Sequence, residues 1–228
     1  MKQIGFYVLI CVFSWYSLSL GAQNQKGTNP DNRVADETLV KATEWVSDLK
    51  LDDREKEMKM IKLVSEHLTA VRDWHNSHAF ASVPAGINPV TGKELSELDR
   101  QIIADSAIPK SVHETLMSGL RSELNDIQTE AILDKYTIGK VAFTMKGYHA
   151  IVPDLTKEEE NTILSYLKEA REMAIDYKNM KEISAIFEIY KTKSEQYLNS
   201  RGRNWKALYK AYVDQVKAEK AAARKKTN

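Results

Sequence analysis

Cysteine is nearly absent from this chain, and its one occurrence says little about the folded protein. Cys11 lies inside an apolar run from Ile4 to Leu20. Whatever follows that run therefore has no disulfide and no cysteine nucleophile. Proline and glycine are sparse, five and nine in 228 residues, which excludes a linker-like or fibrous chain. There is no Gly-x-Ser-x-Gly, no His-Glu-x-x-His and no glycine-rich phosphate loop, so the local signatures of serine hydrolases, zincins and nucleotide-binding loops are missing.

A second long apolar run is also missing. The first one follows Lys2 and ends in the small residues Ser19-Leu20-Gly21-Ala22, then gives way to polar Gln23 through Pro30. That order reads as a cleaved export leader over residues 1–22 rather than a membrane anchor, with cleavage after Gly21 or Ala22 fitting equally. Cys11 lacks the preceding small residue that a lipidated cysteine requires. The expectation is a bacterial periplasmic or secreted protein with no membrane span once the leader is removed.

Net charge is the last absence. Lys2 is the leader's only charge, which leaves 32 basic and 32 acidic side chains. Their distribution is uneven: Arg201 to Asn228 holds nine Lys/Arg against Asp214 and Glu219. Such a tail suits an acidic polymer, but it equally suits a solvated helix end whose cations complement the helix dipole. For an exported chain the second reading is preferred, and no nucleic-acid partner is expected.

What is present is helical punctuation. Leu51-Asp52-Asp53-Arg54-Glu55, Leu95-Ser96-Glu97-Leu98-Asp99, Leu124-Asn125-Asp126-Ile127-Gln128 and Leu155-Thr156-Lys157-Glu158-Glu159 each pair a capping side chain with an acid or amide three residues on, behind a leucine staple. Apolar residues at helical spacing accompany them: Leu39, Ala42, Val46 and Leu49 predict a helix from about Ala35 to Lys50. Ile61, Val64, Leu68 and Val71 predict one from Asp52 to about His78. Ile163 to Tyr177, Ile183 to Tyr197 and Trp205 to Val216 carry three further stripes. Residues 79–94, with Pro84, Gly86, Asn88-Pro89 and Thr91-Gly92, read as a long ordered loop, a length that tilts toward function. Thr137 to Pro153 alternates like a strand at Val141, Phe143 and Met145, and like a helix at Val141, Met145 and Tyr148; with no partner strand it reads as helical or irregular. The expected architecture is all-α, a single-domain bundle of roughly six to eight helices over residues 36–215. A flexible linker over 23–35 precedes it and a basic tail over 216–228 follows.

The densest constellation is Arg72-Asp73-Trp74-His75-Asn76-Ser77-His78 at the end of the second helix. Two histidines at i and i+3 share a helix face and could chelate a metal, but no second cluster supplies the remaining ligands, so no metal and no cofactor are expected. Trp74 flanked by Arg72, Asp73, His75, Asn76 and His78 offers an apolar face with fixed donors and acceptors, which suits a sugar; Trp74 also fits plain core. Tyr148 and His149 beside Gly147 form a second candidate, where a small residue permits close approach of a ligand or of another helix. Asp73, Asp99, Asp105 and Asp176 are candidate carboxylate partners that the sequence alone does not bring together. No residue is assigned as catalytic.

Val71 through Asn76, Val83-Pro84-Ala85-Gly86-Ile87-Asn88-Pro89, Tyr136 through Thr144 and Pro153-Asp154-Leu155-Thr156 resemble a domain-of-unknown-function family, number 3826, of exported Bacteroidetes proteins with a description as sugar-binding. Residues 170–176 and Phe187-Glu188-Ile189-Tyr190-Lys191 are similar to its C-terminal half. The resemblance implies association with polysaccharide degradation. It therefore favours a non-catalytic module for an oligo- or polysaccharide. Leu124-Asn125-x-x-Gln128 and Leu155-Thr156-x-x-Glu159 are also similar to the Leu-Thr-x-x-Gln helix starts of periplasmic helical chaperones, though each copy departs from that pattern. A chaperone or scaffold is thus the alternative, followed by a polysaccharide-active enzyme.

Overall fold

Short polar side chains set where the helices begin. Asp53 accepts hydrogen bonds from Glu55 and Lys56 N–H, so the second helix starts one residue later than the Asp52 cap expected from sequence. Ser96 with Asp99, Asn125 with Gln128, and Thr156 with Glu159 form complete reciprocal capping boxes. The Ser96 box closes although its third helical residue is Asp rather than Glu or Gln. A computed structural model describes residues 30–226 except 90, with side chains described from 37 to 224. The leader at 1–22, the linker up to residue 29 and the last two residues lie outside the described residues.

Nine α-helices and no strand occur among the described residues. They are α1 (Pro30–Ser47), α2 (Arg54–Ser77), α3 (Glu97–Asp105), α4 (Lys110–Glu123), α5 (Asp126–Tyr136), α6 (Lys140–Ile151), α7 (Lys157–Ala174), α8 (Met180–Ser200) and α9 (Trp205–Lys226). The all-α class holds, with one helix more than the upper end of the expected range. The helix without a sequence signature is α4, which begins directly behind Pro109 with no side-chain cap. Thr137 to Pro153 resolves as α6, with Val141, Met145 and Tyr148 buried and Phe143 exposed, the helical rather than the alternating pattern.

The long loop is ordered by backbone pairing. A 3-10 turn at Phe80–Ser82 leads to a short bridge between Ile87 and Glu94. Arg100 on α3 donates to Val83 O at 2.9 and 2.5 Å and holds the loop against that helix.

Two apolar clusters fill the interior. Trp45, Val46, Met60, Val64, Leu116, Leu120, Ile132 and Ile175 belong to the first, which joins α1, α2, α4 and α5. Val141, Tyr148, Ile163, Leu167, Ile183, Phe187 and Leu198 belong to the second, which joins α6, α7 and α8. On α2 the buried stripe is Met60, Val64, His67 and Val71, rotated one residue from the Ile61 and Leu68 line. Apolar residues occupy both lines, so spacing alone did not decide between them. Within four residues, Ala174, Ile175 and Tyr177 alternate between the two clusters, so the α7–α8 turn is where the cores meet.

The start of α9 is tied down by Arg203. Its guanidinium donates to both carboxylate oxygens of Glu159, at 2.9 and 2.8 Å, and to Asp154. Glu159 thus caps α7 and anchors α9 with one side chain. The Arg203 hydrogen bonds hold its carboxyl down to about 2, from an ordinary 4.5. Because the folded value is depressed, this stabilisation is fully present above pH 4.5 and is lost as pH falls from there toward 2. Thermal melts between pH 2 and 5 should show that loss, and Arg203→Gln should flatten its slope over the same interval.

Ile138 has φ +53° and is 73% exposed. A β-branched residue in the left-handed region carries a steric cost of about 1–2 kcal/mol. Ile138→Asn, which tolerates that conformation, should therefore raise the unfolding free energy by about 0.5–1 kcal/mol in chemical denaturation.

Candidate functional site

The second half of α2, with its C-cap residue His78, presents three imidazoles to three different surroundings. His67 points inward between the two cores and meets Asp176 of the α7–α8 turn, Nε2 to Oδ1 at 3.0 Å. The other oxygen of Asp176 meets His113 Nδ1 of α4 at 2.8 Å. One carboxylate therefore joins α2, α4 and the α7–α8 turn. Burial alone would raise the Asp176 carboxyl, but the hydrogen bonds from His113 and His67 outweigh it and hold the group below the usual range. The same hydrogen bond raises His113 above its ordinary 6.5 against the opposing effect of burial. Behind this pair, His67 Nδ1 and the Tyr136 hydroxyl are buried without a hydrogen-bond partner, their rings edge to face at 5.3 Å.

His75, two turns further along, lies against α3 and α8. Its Nδ1 is 2.8 Å from Asp105 Oδ2 and 3.8 Å from Glu182 Oε1, while its Nε2 is 3.2 Å from the Asn179 side-chain amide. Gln101 donates to Asp105 Oδ1 at 3.0 Å, and Asn179 donates to Glu182 through its backbone and its side chain. Tyr177 lies between the two imidazole–carboxylate groups. Burial, followed by the charges of Asp105, Asp176 and Glu182, pushes its hydroxyl up to about 12.

The aromatic–imidazole end of α2 is engaged internally. Trp74 donates its indole N–H to Ala104 O at 3.1 Å and stacks on His78 at 3.7 Å. His78 Nδ1 lies 2.9 Å from Trp74 O, so the two histidines three residues apart do not converge on a common point. Asp73 pairs with Arg72, and Asn76 accepts from Lys178. The Gly147 region lies elsewhere. Tyr148 is buried in the second core and donates to Lys191 O, and His149 faces Glu160 at 3.4 Å. A Cβ on Gly147 would meet nothing within 4 Å, so no helix or chain packs closely there.

Two clefts flank the α7–α8 turn. One, of about 870 Å³, is lined by His113, Lys168, Arg171, Glu172, Asp176 and Tyr190 among others. The other, of about 760 Å³, has Trp45, Tyr136, Tyr177, Leu68 and Val71 in its walls and Arg72, Lys41, Lys178 and Asn179 among its polar groups. Arg171, buried, pairs with Glu130 at 2.7 Å and with Asp134 at 2.6 Å. Arg171 lines the first cleft and Asp134 the second, so this ion pair forms part of the wall between them.

A family model for a protein of unknown function, DUF3826, matches residues 35–218. The chain belongs to the DUF3826 family. No curated protein matches it. The matched span of this DUF3826 domain takes in both imidazole–carboxylate groups and all described helices except the first five residues of α1 and the last eight of α9.

Sequence reasoning singled out His75 and noted Asp105 and Asp176 without being able to assemble them. It missed His113, Glu182 and Gln101. Glu182 carried a faint signal as an acid three residues after Asn179, a helix start without the preceding leucine. His113 sits in the helix that had no signature at all.

Proton-detected titration of the histidines checks this geometry. His113 should titrate above 6.5, and Asp176→Asn should bring it below 6.5, because burial and the Arg121 charge then outweigh the remaining pull of Glu172. Since the folded His113 value is raised and the Asp176 value lowered, their contribution is complete between pH 3.8 and 6.5, declines as pH rises through the folded His113 value, and declines again as pH falls below 3.8. The same substitution should cost about 1–3 kcal/mol of stability.

Proposed function

We propose that this DUF3826 domain is an exported, non-catalytic carbohydrate-binding module, and that the ligand lies in the 760 Å³ cleft rather than against Trp74. The observation that carries the reading is the make-up of that cleft. Trp45, Tyr136 and Tyr177 contribute aromatic edges, with Leu68, Val71 and Ile183 beside them, while Arg72, Lys178 and Asn179 bring donors and acceptors. Sugar C–H faces pack on aromatic surface while the hydroxyls take directed hydrogen bonds, which is the combination such a wall supplies. Arg72 keeps the role expected from sequence. Trp74, though partly exposed, does not line this cleft; the aromatic edges in its wall belong to Trp45, Tyr136 and Tyr177, each only 7–8% exposed.

Titration calorimetry against pectic and hemicellulosic oligosaccharides tests the reading. Affinity should be on the order of micromolar to millimolar, since hydroxyl groups give up good hydrogen bonds to water. Arg72→Ala and Lys178→Ala should each weaken it by roughly 5- to 10-fold without lowering the melting temperature. Trp74→Ala should lower stability and leave affinity unchanged. Absence of heat with every oligosaccharide, together with an unmoved melting temperature, would sink the proposal.

One observation favours a second reading, a polysaccharide-active enzyme. His113, backed by the Asp176 carboxylate, lines the 870 Å³ cleft, and such an imidazole can hold or move a proton. That reading requires turnover of a polysaccharide that disappears in His113→Gln. A chaperone role draws less support. The exposed large apolar side chains, such as Val40, Met58, Ile127, Phe143 and Ile189, are spread over five helices rather than gathered on one face.

A further inference from the structure

We propose that His75, Asp105 and Glu182 form a divalent-metal site of the borderline class, with Zn²⁺ as the preferred ion. This does not depend on the carbohydrate reading. Three chain segments far apart in sequence bring one imidazole nitrogen and two carboxylate oxygens within 4.8 Å of one another. Zn–N and Zn–O bonds of about 2.0–2.1 Å in a tetrahedral arrangement put neighbouring donor atoms about 3.4 Å apart. The separations of His75 Nδ1 from Asp105 Oδ2 and Glu182 Oε1, 2.8 and 3.8 Å, bracket that value. The two carboxylate oxygens lie within 4.8 Å of each other, so bringing all three donors onto one ion takes side-chain shifts of up to about 1 Å.

Charge gives an independent reason. The Asp105 and Glu182 side chains are 2% and 4% exposed, and among the described residues His75 is the only cationic group within ion-pair distance of either. Even a protonated imidazole leaves two buried carboxylates with one compensating charge, an arrangement that costs several kcal/mol unless neutralised. A divalent cation supplies the missing charge and uses a neutral His75.

The surrounding hydrogen bonds are those a metal site needs. Gln101 holds the distal oxygen of Asp105, and the backbone N–H of Asn179 holds the distal oxygen of Glu182, leaving the two proximal oxygens to face inward. An imidazole that gives its Nδ1 lone pair to a metal carries its proton on Nε2, and that atom faces the Asn179 amide at 3.2 Å. Rotating the amide by half a turn presents its oxygen to that proton. It also replaces the donor 3.0 Å from Glu182 Oε1 by an acceptor, a pairing that needs a cation shared with that carboxylate. Outer partners that fix the ligating imidazole and carboxylates in this way are the rule in protein metal sites. One nitrogen among the donors favours Zn²⁺ over Ca²⁺ or Mg²⁺, which take oxygen alone. His75 is 16% exposed, which leaves solvent a route to the fourth position.

The test uses the untagged protein, stripped with chelator and titrated separately with Zn²⁺, Mn²⁺, Ca²⁺ and Mg²⁺ by calorimetry, with bound metal counted by mass spectrometry. One Zn²⁺ per chain and a raised melting temperature are expected. Glu182→Gln and Asp105→Asn, checked by circular dichroism for retained helix, should each weaken binding by roughly 100-fold. His113→Gln should leave it unchanged. Co²⁺ should give a visible d–d spectrum that both carboxylate variants lose. Substoichiometric Zn²⁺ without a melting shift overturns the proposal. So does binding that survives both carboxylate variants, binding that His113→Gln abolishes, or a preference for Ca²⁺ or Mg²⁺.

Discussion

Asp176 takes hydrogen bonds from His67 of α2 and His113 of α4 at the turn where the two apolar clusters touch, and the arrangement of the domain hangs on that carboxylate. Apolar contacts alone would let the α6–α8 layer slide against α1, α2 and α4, since burial has no direction. A half-buried charge does not slide. Moved away from its imidazoles it would leave an unpaired ion in the interior, at a cost of about 3–5 kcal/mol. A second contact of the same kind, His75 with Asp105 and Glu182, lies further along α2 and fixes its rotation against α3 and α8. Two such contacts on one helix determine both its height and its angle.

The same seam explains where the clefts are. Side chains that satisfy buried charge cannot also fill volume, so space remains on either side of the α7–α8 turn. Arg171 with Glu130 and Asp134 keeps these spaces apart. Their walls differ accordingly: one is crowded with charge, the other lined by aromatic edges and aliphatic side chains with polar groups around them.

Much of this was legible in the order of residues, and the failures have physical causes. The starts of α3, α5 and α7 could be read because a capping box is a local contract between residues three apart. The start of α4 could not, because Pro109 opens it with no polar side chain to mark the place. On α2, apolar residues at both 60 and 61 left the buried face ambiguous, and only the partner of His67 resolves it. The site was half legible. His75 stood out, but its spacing from His78 suggested a shared ligand, whereas backbone geometry turns His78 onto Trp74. Asp105 and Glu182 reach His75 across 30 and 107 positions, and no local pattern encodes such a meeting.

No described residue of α9 is buried, and beyond its Arg203 anchorage it carries most of the excess positive charge of the C-terminal segment while the remainder of the domain is acidic. At about 1.5 Å per residue its 22 residues extend about 33 Å. The result is a strong permanent electric moment along a rod that is docked at its start, where Trp205 packs on Tyr148. A uniform field acts on such a body chiefly as a torque. Next to a charged polymer or envelope the molecule would be turned to present one end before any specific contact is made.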